Sequence, residues 1–437
     1  MSDRPALSGE ARISRVDTGN QVAIRDLVGR ADVPVWALDE RLRLVGAVAR
    51  VVSSCGPARA SRIRLASGHV VTAAAGQPLL TIVGWRRVAE LPMGATVATS
   101  RSLPEPRGPA SWPEHEVVML AHLLGDGCVT RDPIYYCSRD EANLEVVEKA
   151  ARGFGVGTRR TPGRGVTYVH FPMLDRQARG HTNPLYDWLR RLGVMGHRAW
   201  EKQLPAEVHQ LSGEQCKMFL RHLWATDGSV TTSSSGRTRI YYATTSRRLA
   251  EDIQVLLARS GIGARIRATT ASKLGKHQGW TVDVSGRDNM MIFLLSIGVH
   301  GGRGLRCEQA IANLAHRVGN PNVDVIPAGI WEYIQQRMSQ TGVSVADLAK
   351  RLNRVQLTST YFKTGVSRPR MTIVAAALGE RRLADLATSD VRWERIVAID
   401  PVDDGELFKV VVAGADSVLA NLVIAGAPGP LSSAGWS

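Results

Sequence analysis

Apolar positions along the middle of the chain follow an order that is used twice. The run Val117 to Leu124 is apolar enough for a buried helix and leads into Asp126-Gly127, and the run His222-Leu-Trp-Ala-Thr leads into Asp227-Gly228. Strands carrying Ile134-Tyr135-Tyr136 and Ile240-Tyr241-Tyr242 follow. Amphipathic helices come next, marked by Leu144, Val147, Ala150 and Ala151 and by Leu249, Ile253, Leu256 and Leu257, each stopped by a glycine. Further strands are predicted over Val166 to Phe171 and Trp280 to Val284, and closing helices over Pro184 to Leu192 and Asn289 to Ile297. Tyr136 to Gly155 is 19 residues, and Tyr242 to Gly261 is 19 again. Leu192-Gly-Val-Met-Gly-His-Arg198 answers Ile297-Gly-Val-His-Gly-Gly-Arg303 at an offset of 105, where the tyrosines are offset by 106. Register held that long predicts an α+β unit present twice, hence a pseudo-twofold domain.

At 437 residues the chain is too long for one ordinary core. Its 55 Lys plus Arg against 40 Asp plus Glu give +15, which favours a polyanionic partner, nucleic acid before membrane; a basic but inert surface is the alternative. The five cysteines are scattered and odd in number, without a CxxC pair, which points to a reducing compartment rather than a disulfide framework or zinc knuckle. No segment approaches 18 uninterrupted apolar residues, and the expectation is a soluble, cytoplasmic protein, nucleoid-associated if it binds DNA.

If the two apolar helices pack side by side, Asp126 and Asp227 reach one end of the pair. Two oxygen ligands beside a scissile phosphate suit Mg²⁺, which keeps waters and takes one or two carboxylates plus phosphate oxygens. One Asp-Gly alone is the ordinary end of a helix; two at matched places of a repeat argue for more. Ala121, Gly125 and Ala225 would let the backbones approach. LAHLLGDG (Leu120 to Gly127) and HLWATDG (His222 to Gly228) resemble the paired motifs of the LAGLIDADG homing endonucleases. That resemblance implies a dodecapeptide-helix interface, a sheet from each half in the DNA major groove, and Asp126 and Asp227 as metal ligands for Mg²⁺, with Mn²⁺ as a possible substitute. Glu201-Lys202-Gln-Leu-Pro205 is similar to the family's Lys-x-x-Pro segment, so Lys202 is either the lysine that assists cleavage or an ordinary solvated one. Counting four beyond Arg303, as Lys202 lies four beyond Arg198, lands on Cys307, which would leave the second half without that lysine. Arg159, Arg160, Arg164, Arg237, Arg239, Arg265, Arg267, Lys273 and Lys276 fall on or beside the predicted sheets, where they could contact phosphates and read guanine edges.

The flanks resemble a splicing (Hint) domain of the inteins found in bacterial replicative helicases. Val35-Trp36-Ala37-Leu38-Asp39, Ala66-Ser67-Gly68 and Gly84-Trp85-Arg86 match its early stretches, and Val391 to Ala427 its closing segment. An unrelated β domain is the rival reading. Splicing needs a nucleophile, a group that activates the scissile amide and a cyclising Asn. The resemblance puts Ala6, Gln77, Gly426 and Ala427 at those positions, so splicing chemistry is expected to be lost. Residues 321 to 390 read as a helical insert in which Val343 to Leu352, then after a short turn Thr358 to Gly365, and then Ser367-Arg368-Pro-Arg370 leading into Ile373 to Leu378 suggest a helix-turn-helix-like module. There Arg354, Lys363, Arg368 and Arg370 would face DNA, unless the insert is a packing domain only.

The expected architecture is α+β and multidomain: a β-rich Hint domain split in sequence (1–105 and 391–427) around the pseudo-twofold endonuclease domain (106–320, halves about 106–210 and 211–320) and the insert (321–390), with a tail at 428–437. The expected function is that of a monomeric, splicing-defective, free-standing protein that binds double-stranded DNA and cleaves it with Mg²⁺. The alternative is a domesticated regulatory or repair-related DNA-binding protein with weak or no cleavage.

Overall fold

The structure, a computed structural model, describes residues 4–130, 132–173, 182–269, 277–317 and 323–427. Contacts divide the chain into Glu105–Gly319 and a second unit made of Met1–Pro104 with Asn320–Ser437.

In the 105–319 unit, α1 (Glu114–Asp126) is buried continuously from Val117 to Leu124 because protein surrounds it. It is followed by α2 (Glu141–Gly153), whose N-cap Asp140 accepts from the Ala142 N–H, and α3 (Pro184–Arg191), capped by Asn183. The second half repeats the order with α4 (Gly213–Trp224), α5 (Arg247–Arg259, capped by Ser246) and α6 (Arg287–Ser296), and adds α7 (Gly304–Ala315). Each half carries a four-stranded antiparallel sheet of the same spatial order. In the first it runs Gly127–Cys128, Tyr135–Ser138, Thr167–His170, Arg159–Pro162; in the second, Gly228–Thr232, Thr238–Thr244, Trp280–Val284, Ala264–Ala268. Side chains alternate between faces, so Tyr136, Val169, Ile240, Tyr242, Val282 and Ile266 point into one core shared with the helices.

The segments that follow α3 and α6 tie the halves together by crossing between them. Leu204 N–H donates to buried Asp252 of α5 and Ser246 Oγ to the Lys202 carbonyl; in return Gly302 N–H donates to Asp140 and His300 Nε2 lies 3.3 Å from the Ala142 carbonyl. Between α1 and α4, His122 Nε2 meets His222 Nδ1 at 3.1 Å, and His122 Nδ1 meets Tyr136 OH at 3.0 Å. Burial lowers the pKa of both imidazoles, His222 to about 3, with neighbouring charge adding to it, so the rings pack there uncharged.

The second unit is built on two long antiparallel strands, Leu44–Leu65 and Val391–Ala413, paired over most of their length with several bulges. Around them the short strands Leu7–Ser8, Arg12–Ser14, Val70–Ala74, Thr96–Ser100, Ser417–Ala420 and Val423–Gly426 join one large sheet. Val423–Gly426 is wholly buried, between Ser417–Ala420 and Thr96–Ser100, and touches Pro78–Thr81 as well. The closing segment is thus a packed strand of the core.

Beside this sheet stand α8 (Ile330–Thr341), α9 (Val345–Arg351), α10 (Arg368–Leu378) and α11 (Arg381–Thr388). Ser344 and Asp347 form a reciprocal capping box that starts α9. The helix-turn-helix expectation is corrected in two respects. Residues 352–367 separate α9 from α10 and hold a single 3₁₀ turn, Tyr361–Lys363, and the strand Val366–Ser367, which is longer than the turn of about three or four residues in that motif. Arg368 is buried: it pairs with Asp324 and donates to the carbonyls of Leu386, Ala387 and Val391. It closes the C-terminal end of α11 and is unavailable to DNA. Arg354 and Lys363 are exposed, Arg354 lying 5.2 Å from the Tyr361 ring centre, and Arg370 is half-buried. Among the described residues no helix is long and apolar enough to cross a membrane.

Candidate active site at the paired helix ends

Helices α1 and α4 meet where a small residue faces a larger one. A Cβ on Gly125 would overlap the Thr226 side chain, so glycine is what allows the two carboxyl-terminal ends to close. Asp126 is the last residue of α1, and Asp227 follows the turn after α4. The two lie near enough that Asp227 charge raises the pKa of Asp126. Burial is the larger cause, and together they push Asp126 up to about 7 against the pull of Arg303 and Lys202. Asp227 keeps an open surface over a crowded base; its pKa is raised by burial and opposed by the same two cations.

Those cations are not free. Lys202, 7% exposed, donates from Nζ to the carbonyls of Leu124, Gly125 and Gly127 at 2.8 to 3.0 Å and to Leu123 at 3.3 Å. Arg303 donates from Nη1 to the carbonyls of Trp224, Thr226 and Gly228. The acceptors differ by 101 in each pair (123 and 224, 125 and 226, 127 and 228), the offset of Asp126 and Asp227 themselves. Lys202 and Arg303 are therefore structural counterparts, each capping one interface helix, and both pull on both carboxylates. Two expectations change. Lys202 is neither solvated nor directed at a reacting group, and its counterpart is Arg303, with Cys307 lying buried on α7. Counting four beyond Arg303 missed this because the matching spacing runs from the carboxylates: Lys202 lies 76 residues beyond Asp126, and Arg303 lies 76 beyond Asp227.

The open faces of the sheets flank the carboxylates. In the first half the cross-strand rows are Arg159–His170–Tyr135 and Thr161–Tyr168–Cys137, with Cys137 Sγ 3.5 Å from the Asp126 carbonyl. Arg160 stands one residue out of phase, on the helix-covered face, and is held by Glu148 and Glu141 of α2. It is therefore corrected from a DNA contact to a sheet-to-helix strut. In the second half Arg239, Arg265 and Arg267 do lie on the open face. Arg164 and Arg237 are exposed in the loops between strands, and Lys273 and Lys276 lie outside the described residues. Cys128, Cys137, Thr281 and Asp283 face the same way and were not singled out by sequence; strict alternation counted from the buried Tyr136 and Tyr242 would have found them.

In the other unit, Ala6 is buried and its carbonyl accepts from Ala74 N–H at 2.9 Å. Buried Gln77 donates from Nε2 to the carbonyls of Gly426 (2.7 Å) and Pro78 (3.0 Å), and Ala427 N–H donates to the Asp416 carbonyl at 2.8 Å. A Cβ on Gly426 would lie 3.0 Å from Pro78 Cβ. Each of the four positions is packed or hydrogen-bonded, and the amide of Gln77 stitches the final strand down at Gly426.

Residues 214–298 match the model of the LAGLIDADG-like domain. The replicative DNA helicase DnaB of Rhodothermus marinus is 36% identical over 437 residues, covering 97% of this chain and 46% of the helicase. A DnaB intein from Synechocystis sp. PCC 6803, solved by crystallography, is 33% identical, with 22% of this chain and 69% of that one covered at a TM-score of 0.22. The homing endonuclease I-DmoI, crystallised with DNA and Ca, is 11% identical, with coverage of 42% and 88% and a TM-score of 0.30. The chain spans about half the length of the curated helicases it matches, 46 to 49%.

Proposed function

We propose that the 105–319 unit binds double-stranded DNA and hydrolyses its phosphodiesters with a divalent cation, and that the other unit is an intein-like domain that no longer splices. The observation that carries the first part is the convergence of Asp126 and Asp227 on one point, at the ends of two helices and between two sheet faces that bear Arg159, Arg239, Arg265 and Arg267. The match of residues 214–298 to the LAGLIDADG-like domain supports it.

The donor set fits a hard cation. Two crowded carboxylates, one of which raises the proton affinity of the other, are a site a divalent ion relieves, and among the described residues no third His, Cys, Asp or Glu completes a protein cage. Asp126 and Asp227 would hold Mg²⁺, or Mn²⁺ in its place, together with substrate oxygens. Bound there, the ion would supply charge neutralisation at phosphorus and a water of lowered pKa. The chain's own part is to fix the two carboxylates through the interface, oppose with the cations of Lys202 and Arg303 the rise in pKa that burial causes, and orient the duplex by the basic rows of the open faces. Incubating the protein with a plasmid carrying a selected target and Mg²⁺ tests the reading: linear or nicked product is expected. Tight, salt-dependent binding without any product would favour the second reading, a DNA-binding protein whose cation site is only structural.

Two further results are expected. Asp126 takes its proton near pH 7 in the fold against 3.8 for an ordinary aspartate, so between those values the folded state binds more protons than the unfolded one. Stability contributed by this group is therefore full below about pH 4 and falls until pH 7, by on the order of 2 kcal/mol after solvent screening. Thermal denaturation of the metal-free protein at pH 5 and 8, with Asp126→Asn as the reference, should show the parent losing more than the variant, and Mg²⁺ should restore more at pH 8. In the other unit, prolonged incubation with thiols should leave the mass of the chain unchanged, because Ala6 and Ala427 offer neither nucleophile nor cyclising amide; a shortened product would refute the loss of splicing.

A further inference from the structure

The open face of the second sheet holds an arrangement that the first lacks. Asp283, 6% exposed, sits mid-strand between Tyr241 and Arg265, its cross-strand neighbours. A carboxylate nearly out of water needs partners, and it has them: Thr281 Oγ1 donates to Oδ2 and Arg239 Nε to Oδ1, both at 2.7 Å. Arg239 lies 4.2 Å from the centre of the Tyr241 ring, so its guanidinium is gripped from one edge and supported on one face. Its two terminal nitrogens make no hydrogen bond among the described residues. The side chain is nonetheless half in solvent, at 51% exposure. An arginine that only balanced a buried carboxylate would turn its terminal nitrogens to it. Here Nε is spent on the carboxylate, and the two-pronged end is left aimed outward.

Resting on the DNA-binding reading of this unit, we infer that Arg239 is a guanine-reading residue of the second half, with Asp283, Thr281 and Tyr241 as the positioning residues that hold its fork. A pair of parallel N–H donors matches the O6 and N7 acceptors of guanine in the major groove, and a side chain ordered beforehand loses little freedom on contact. The first half cannot do the same. Its corresponding rows carry Tyr135, Cys137, Tyr168 and His170, with Tyr135 and Tyr168 edge to face at 5.3 Å, and Arg159, in the row with His170 and Tyr135, has no acidic cross-strand neighbour among the described residues. The target is therefore asymmetric in chemistry, with an invariant guanine on the side of the second half.

Selection of binding duplexes from a random pool, run on the whole chain with the parent, Arg239→Lys, Arg239→Ala and Asp283→Asn, tests this. The parent should enrich a guanine at one position of one half-site. Arg239→Lys keeps the charge and, at an exposed site, the fold, yet should lose about tenfold or more of discrimination at that position alone. Asp283→Asn should relax the same position and no other. Uniform weakening across sequences, with a salt slope smaller by about one and an unaltered guanine, would make Arg239 a phosphate contact and overturn the inference. Enrichment with no position sensitive to Arg239 would overturn it too, leaving the DNA-binding reading intact, whereas failure to enrich any duplex would overturn both.

Discussion

Replacing Asp126 or Asp227 by asparagine is expected to lower the rate of DNA cleavage by roughly a thousandfold while leaving affinity for the duplex within about threefold. Each substitution removes one anionic oxygen from a pair that no third His, Cys, Asp or Glu joins among the described residues. Asp227→Asn also removes a charge that raises the pKa of Asp126, so this variant should be at least as thermally stable as the parent at pH 8. Stability and activity moving in opposite directions is what separates a cation site from a helix end. If the Asp-Gly turns were only stop signals, either variant would lose stability and cleave as before. Single-turnover cleavage, duplex affinity and thermal unfolding of the same preparations check this.

The second large effect concerns Lys202 and Arg303. Lys202→Met leaves buried carbonyls at the end of α1 without a donor and two carboxylates without one of their counter-charges, a loss of about 3 kcal/mol or more. Arg303→Met should cost a similar amount, because it serves the equivalent carbonyls of the second half. Burial lowers the pKa of Lys202 while Asp227 and Asp126 raise it back, so its charge depends on the carboxylates as theirs depends on it. Denaturant unfolding of the two variants, with Lys202→Arg as the conservative reference, reads the cost. A Lys202→Met protein as stable as the parent but inactive would instead make the lysine a group of the chemistry itself.

The repeat was visible in the sequence because it is written in local terms: helix periodicity, Tyr-Tyr strands and glycine stops recur at nearly constant spacing, and the structure has the same element order in both halves. Asp126 and Asp227 stood out for the same reason. What could not be read were features set by distance in space. Arg160 and Arg159 are adjacent letters, but strand alternation sends one to Glu148 and the other to the open face. Arg368 looks like a groove-facing cation until the carbonyls of Leu386 and Ala387 are found at its tip, about twenty residues away. Arg303 was within reach of a count: taken from Asp126 and Asp227, Lys202 and Arg303 share one 76-residue spacing, but what the two side chains do there shows only in the carbonyls they reach. Gln77 was legible as a departure from a splicing motif; that its amide holds down the final strand was not.

The proposed chemistry stands on two carboxylates from distant parts of the chain sharing one cation. Titration of Mn²⁺ into the protein bound to its selected duplex, followed by electron paramagnetic resonance, measures this directly. A tight manganese population is expected, lost in Asp126→Asn and equally in Asp227→Asn. Manganese binding that survives unchanged in either variant would contradict a shared site.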